Sequence, residues 1–296
     1  MPKKKKMKTG TKEWSSSSLN IATGCTNCCR YCFARHNALR FKRIPDAKAW
    51  GEMDLNPEKA WKKYGKRKGT IMFPTSHDIV PGILASCIRV LRQVLSVGNE
   101  VLIVTKPRFY CVAELCAALK DYIKQVEFRF TIGSNNDEVL WFWEPGAPDF
   151  KERLDSLDLA YLEGFETSVS IEPMLDPANV GELVDELDDF VTNTIWIGKM
   201  NKPGSRCVGV SKDDLEEIKA GQTDAAIMDI VEQLSDNPKI RWKDSIKKVI
   251  AKHENGMEDE DEDTADKPDE SSSKHKLKYF KKLGATGVRT FGKKKG

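Results

Sequence analysis

The sequence has no apolar run approaching the roughly 18–20 residues that a membrane span requires. Its lysine-rich start, Lys3–Lys6 and Lys8, is not followed by the apolar stretch of a secretory signal. Net charge is also scarce, at +3, so any attraction for nucleic acid has to come from local charge blocks. No internal repeat stands out. These absences point to a cytoplasmic protein without membrane contact, expected as a monomer. In that compartment cysteines stay reduced, and a cluster of them reads as a metal or catalytic site.

What is present begins with a chain of 296 residues, long enough for a full core. A repeating unit follows the first 18 residues: a short apolar run, a polar turn, then a helical pattern. The strand-like runs are Leu19–Ala22, Thr70–Phe73, Val101–Thr105, Val126–Thr131, Thr167–Ile171 and Thr194–Ile197. Between them lie helical patterns such as Pro81–Val97, with Ile83, Leu84, Cys87, Val90, Leu91 and Val94 at three-four spacing. This alternation predicts a parallel α/β sheet, as an incomplete barrel or an open doubly wound sheet. Further on, 213–219, 224–234 and 244–252 read as helices, with a short strand at 239–242. The expected organisation is a flexible basic arm (1–18), the α/β core (19–203), an α-rich extension packed on it (204–252) and a disordered tail (253–296). That tail is acidic over Glu258–Asp263 and basic from Lys274 to Lys295.

Four of the eight cysteines, Cys25, Cys28, Cys29 and Cys32, fall within eight residues, just after the first expected strand. Loops at the C-terminal ends of parallel strands are where ligands gather in such folds. Two readings of the cluster stand side by side. All four thiolates could hold a structural zinc in a nucleic-acid-binding module, although fused Cys-x-x-Cys arms strain a tetrahedral site. Alternatively Cys25-x3-Cys29-x2-Cys32 could bind three irons of a [4Fe–4S] cluster and leave the fourth open to a reactant.

The second spacing, with Tyr31 just before the last cysteine, resembles the signature of the radical S-adenosylmethionine enzymes. Phe128-Arg-Phe-Thr-Ile-Gly-Ser134, Trp143-Glu-Pro-Gly-Ala-Pro-Asp-Phe-Lys-Glu-Arg-Leu154 and Val104-Thr-Lys106 are similar to the spore photoproduct lyase-like, DNA repair photolyase-like branch. The resemblance spans about Asn20 to Pro203. It implies a partial (β/α)6 TIM-like barrel, with Cys25, Cys29 and Cys32 as ligands of a [4Fe–4S] cluster. S-adenosylmethionine would be the second cofactor, cleaved reductively to a 5′-deoxyadenosyl radical that abstracts hydrogen from substrate. An electron donor such as flavodoxin or ferredoxin is implied as partner, and a nucleic-acid substrate is suggested. Tyr31 would lie near the adenine. Ser76, His77 and Asp78 stand where relatives carry the stretch that accepts the methionine amine. Thr131 matches a strand-end hydroxyl that contacts S-adenosylmethionine, with Thr105, Lys106, Ser134 and Glu172 as polar neighbours. Where the lyase branch carries its hydrogen-donor cysteine, this chain has Arg129 and Phe130.

Several residues carry a plainer reading. Cys87, Cys111 and Cys116 sit on apolar helical stripes and read as small core residues. Cys207, in a loop after the sixth strand, is either a hydrogen donor or an ordinary loop cysteine. His77 is either a proton carrier or a loop-shaping hydrogen-bonding residue. Glu144 and Arg153 read as an ion pair bracing the loop after the fourth strand. Trp141, Phe142 and Trp143 read as packing before they read as a stacking platform. No second cysteine cluster offers an auxiliary iron–sulfur centre.

Overall fold

The computed structural model describes residues 9–256, so the first eight residues of the expected arm and positions 257–296 of the expected tail lie outside it. Five strands form where continuous apolar runs predict them: β4 (Ile71–Phe73), β5 (Val101–Thr105), β6 (Val126–Thr131), β7 (Glu166–Ile171) and β8 (Ile195–Ile197). They pair in parallel, with Ile71 opposite Val101, Val101 opposite Val126, Phe128 opposite Thr167 and Val169 opposite Ile195. Burial on both faces explains why β4 and β8 are wholly apolar and β5 nearly so, whereas β6 and β7 alternate apolar residues with Glu127, Arg129, Ser168 and Ser170.

The first strand is not Leu19–Ala22. The sheet edge is β1 (Ser17–Ser18), parallel to β4 with Ser17 opposite Ile71. Ala22 leaves the sheet in β2 (Ala22–Thr23), which runs antiparallel to β3 (Asp54–Leu55). Leu19 and Ile21 are buried, yet the Ile21 main chain bonds outside the ladder: its N–H donates to His77 Nε2 (3.2 Å) and its carbonyl accepts from Asn56 (2.7 Å). The apolar run therefore signalled burial more than pairing, which survives only at the Leu19 N–H, on the Met72 carbonyl (3.0 Å), and at Ala22. Residues 10–18, assigned to a flexible arm from the sequence, are built into the fold as a 3₁₀ turn (Gly10–Glu13), Trp14 and β1.

The short strand expected at 239–242 forms as β9 (Ile240–Trp242), and the C-terminal segment goes further than packing on the barrel, because β9 extends the sheet beside β8 with Ile240 opposite Ile195. The result is one seven-stranded parallel sheet in the order β1-β4-β5-β6-β7-β8-β9, an incomplete TIM-like barrel.

Alternation along the strands sorts the side chains. Ile71, Phe73, Val101, Ile103, Phe128 and Val169 join one apolar core with helices such as Leu84–Ser96, Phe109–Leu119 and Phe150–Leu162. Cys87, Cys111 and Cys116 are buried in that core, as read from their helical spacing. The opposite face carries Met72, Leu102 and Val104, against which Trp14 packs, and a polar group on β6 and β7. There Arg129 pairs with Glu127 at 2.7 Å and donates to Ser168 Oγ at 2.9 Å.

Candidate active site at the cysteine loop

The cysteine loop opens at Gly24, whose φ of +93° suits glycine, and closes into the helix Phe33–Arg40. Cys32 is the N-cap of that helix, its Sγ accepting from the Arg35 N–H at 3.4 Å. Two segments, around Trp50 and over 143–146, hold the loop from outside: Cys25 N–H donates to the Trp50 carbonyl (2.9 Å), Arg30 N–H to the Trp143 carbonyl (2.8 Å) and Gly146 N–H to the Asn27 carbonyl (3.1 Å).

Cys25, Cys29 and Cys32 line one cavity of about 170 Å³ at the C-terminal ends of β4, β5 and β6. Tyr31, Ser76, His77, Asp78, Thr105, Lys106 and Thr131 line the same cavity, so ten of the residues singled out from the sequence meet there. Cys28 does not. Its backbone is left-handed, at φ +47°, and its Sγ lies 3.6 Å from the Cys25 carbonyl. Ser134, Glu172 and Cys207 are outside the lining as well. The Ser134 hydroxyl accepts from the Asn136 N–H (2.9 Å), shaping the turn. Glu172 faces Lys243 at 3.5 Å, and Cys207 Sγ lies 3.7 Å from Met200 Sδ.

Within the cavity the polar groups have distinct duties. Asp78 accepts four hydrogen bonds: from Thr105 Oγ1 (2.9 Å), the Lys106 N–H (2.7 Å), Asn27 Nδ2 (2.9 Å) and Cys25 Sγ (3.6 Å). Burial alone would raise its pKa, but Lys106 and these donors hold it below the usual carboxylate range. Asp78 thus ties the cysteine loop to the end of β5. His77 is buried with both ring nitrogens on main-chain groups, the Ile21 N–H and the Asp78 carbonyl (3.1 Å), and burial lowers its pKa. With neither nitrogen free toward the cavity, these contacts match the loop-shaping reading of His77.

Under the loop, Glu144 pairs with Arg153 at 2.6 Å with neither side chain exposed, the ion pair read from the sequence. Glu144 also accepts from the Tyr31 hydroxyl and lies 3.6 Å from Lys106 Nζ. Burial disfavours the Lys106 ammonium, yet Cys29, Glu144, Tyr31 and Asp78 around it keep its pKa well above the ordinary value. Sequence reasoning missed Asn20, whose amide clamps Thr75 and Ser76 (2.7 and 2.9 Å to their N–H groups), and Asn27, buried behind Asp78. Both are polar residues flanking the loop, and only position in space marks them.

The sequence profile of the radical SAM superfamily matches residues 19–190. The chain belongs to the radical SAM superfamily. Among proteins of curated function none matches it in sequence. Solved structures similar to it include a cysteine-to-serine variant of spore photoproduct lyase, at 16% identity over 80% of this chain and 79% of that one, TM-score 0.53. Spore photoproduct lyase complexed with dinucleoside spore photoproduct follows at 15% identity, covering 76% and 75%, TM-score 0.51. Streptococcus suis SuiB bound to precursor peptide SuiA matches at 9% identity, covering 82% of this chain and 52% of that one, TM-score 0.50. At these identities the likeness is one of fold. The donor set of this radical SAM protein suits an iron–sulfur cluster on chemical grounds. Burial pushes the pKa values of Cys25, Cys29 and Cys32 up, so three adjacent thiolates there require compensating cations, which irons provide.

Proposed function

We propose that this chain is a radical SAM enzyme in which Cys25, Cys29 and Cys32 hold three irons of a [4Fe–4S] cluster. Such a cluster supplies the electron that cleaves S-adenosylmethionine to methionine and a 5′-deoxyadenosyl radical, which abstracts hydrogen from substrate. The observation that carries this reading is the sharing of one cavity by three of the four clustered thiols, without Cys28, together with the polar ends of β4 to β6. A structural zinc site would need Cys28 turned into the same space.

The chain's own residues then bind and orient. Lys106 supplies the buried positive charge next to the thiolates, and Asp78 fixes the Cys25 side of the loop. The Ser76 and Thr131 side chains offer hydrogen-bonding groups to the methionine end of S-adenosylmethionine. Tyr31, with its hydroxyl taken by Glu144, presents only its ring to the adenine. Trp50, Phe33, Met72 and Val104 keep water from the reacting atoms.

A nucleic-acid or nucleotide-bearing substrate is the reading we favour. It is supported by the lysine-rich ends of the sequence and by the photoproduct complex of a fold neighbour. A flavodoxin or ferredoxin in the cytoplasm would supply the electron.

Anaerobic reconstitution with iron and sulfide, followed by dithionite and S-adenosylmethionine, tests the reading. The expected result is a brown protein, bleached by dithionite, that releases 5′-deoxyadenosine. Cys28→Ser should keep its iron and Cys29→Ser should lose it. A fully loaded, reducible cluster that yields no 5′-deoxyadenosine would overturn the enzyme. A colourless protein that needs all four cysteines for zinc would replace it with the zinc-binding module.

A further inference from the structure

The interior beneath the cysteine cavity is filled by the chain's own N-terminal segment. Thr11 lines a second hollow with Phe33, Thr75 and Ser76, all three of which also line the cysteine cavity. Trp14 packs on Met72 and Val104, which form part of that cavity's wall. The segment thus lies against the site from its mouth to its floor.

Its side chains are held in an unusual way. The Glu13 carboxylate sits between two ammonium groups, 2.7 Å from Lys243 Nζ and 3.1 Å from Lys247 Nζ. The Trp14 ring has Lys243 at 4.1 Å and Arg129 at 5.0 Å from its centre, and meets Trp196 edge-on at 5.9 Å. Two buried polar atoms here, Trp14 Nε1 and Ser170 Oγ, have no hydrogen-bond partner among the described residues. Ser170 is 1% exposed and alternates with the core-facing Val169 and Ile171, so it points inward beside Trp196, its neighbour in register.

This chemistry suits something other than Glu13 and Trp14. Although Lys243 is shared with Glu172 at 3.5 Å, two ammonium groups meeting at the place of the Glu13 carboxylate complement a phosphate better than a single carboxylate. A ring with a hydrogen-bonding edge would satisfy the Ser170 hydroxyl, which an indole leaves unpaired. Resting on the radical SAM reading above, we propose that this interior binds a nucleotide unit of the substrate. Its phosphate lies at Lys243 and Lys247 and its base against Trp196, in the place that Glu13 and Trp14 now hold. The segment has to withdraw before substrate enters. If it is seated nine-tenths of the time, apparent affinity falls about tenfold.

Calorimetric titration of the full chain with thymidine 5′-monophosphate tests this without cluster or turnover, so its outcome is independent of the 5′-deoxyadenosine assay. The E13Q/W14A double variant should bind at least about tenfold more tightly than the unmodified chain. Adding K243A and K247A should abolish that gain, and thymidine should bind far more weakly than its phosphate. E13Q alone keeps the indole packing and should move the same way by less, which guards against a double variant that fails to fold. Tighter binding of a short oligothymidylate than of the mononucleotide identifies a strand as the source of the nucleotide, and the reverse a free nucleotide. Equal affinity with and without Glu13, indifference to the phosphate, or preferential binding of a peptide copying residues 9–15 overturns the proposal.

Discussion

Arg153 meets Glu144 with both side chains fully buried, and it also donates to the Pro148 carbonyl at 2.7 Å. Removing one partner of such a pair leaves a buried charge, which costs about 3–5 kcal/mol. Arg153→Met should therefore lower the unfolding free energy by roughly that amount in urea titration, and a loss typical of a surface substitution would show the pair to be idle. Glu172 gives a pH signature instead. Burial raises its carboxyl from 4.5 to about 7, against the pull of Lys243. Between those values the folded chain keeps a proton that the unfolded chain has released, so stability declines as pH rises from about 4.5 to about 7. The decline is about 3 kcal/mol. Glu172→Gln should flatten it in melting curves taken across that range, and an unchanged slope would mean the carboxylate is already ionised in the fold. At this scale the sequence was informative where spacing fixes geometry. Cys25, Cys29 and Cys32 share a cavity, and Glu144 and Arg153 meet. It was silent where a distant main-chain group decides, as with the Ile21 N–H that occupies His77 Nε2.

The cysteine loop is the element with the least room for change. A Cβ at Gly24 would collide with the Glu52 carbonyl and stand 2.9 Å from that of Trp50, with φ already in the left-handed region. Both obstacles are backbone and cannot swing aside. Gly24→Ala should thus displace the loop, and the reconstituted variant should retain markedly less iron than the unmodified protein by colorimetric assay. Full retention would show that the 50–52 turn gives way easily. Elements were legible where they carry a strong period: β4 to β8 and the helix Leu84–Ser96 lie within a residue or two of the apolar patterns that announce them. The edge strand β1 was hidden because it is two serines long, and hydroxyl side chains carry no alternating signal. Next to it, Leu19 and Ile21 looked like a strand because buried loops and buried strands share the same composition.

Across the whole molecule, the superfamily profile ends at residue 190, whereas the sheet continues to β9 at 240–242. β9 covers the edge of β8, and the helix after it, Asp244–Glu254, buries Ile246 and Val249 in the main core. A chain cut after Pro238 should lose cooperative melting, and a sharp transition near that of the full protein would show the last strand to be dispensable. The α/β alternation declared the architecture. The short strand read at 239–242 is there as β9, and the first strand was misplaced because β1 offers no apolar run at all.

The anchorage of Trp14 has a consequence for how the protein is made. Glu13 and its partner Lys243 are separated by 230 positions in the chain, so during synthesis the carboxylate waits a long stretch of chain for its partner. Until Lys243 and Lys247 have been synthesised, the Glu13 carboxylate lacks its partners, and the segment is held only by β1 against β4 and by Trp14 on Met72, Leu102 and Val104. The ionic lock on that segment is therefore set only after its strand has a place beside β4.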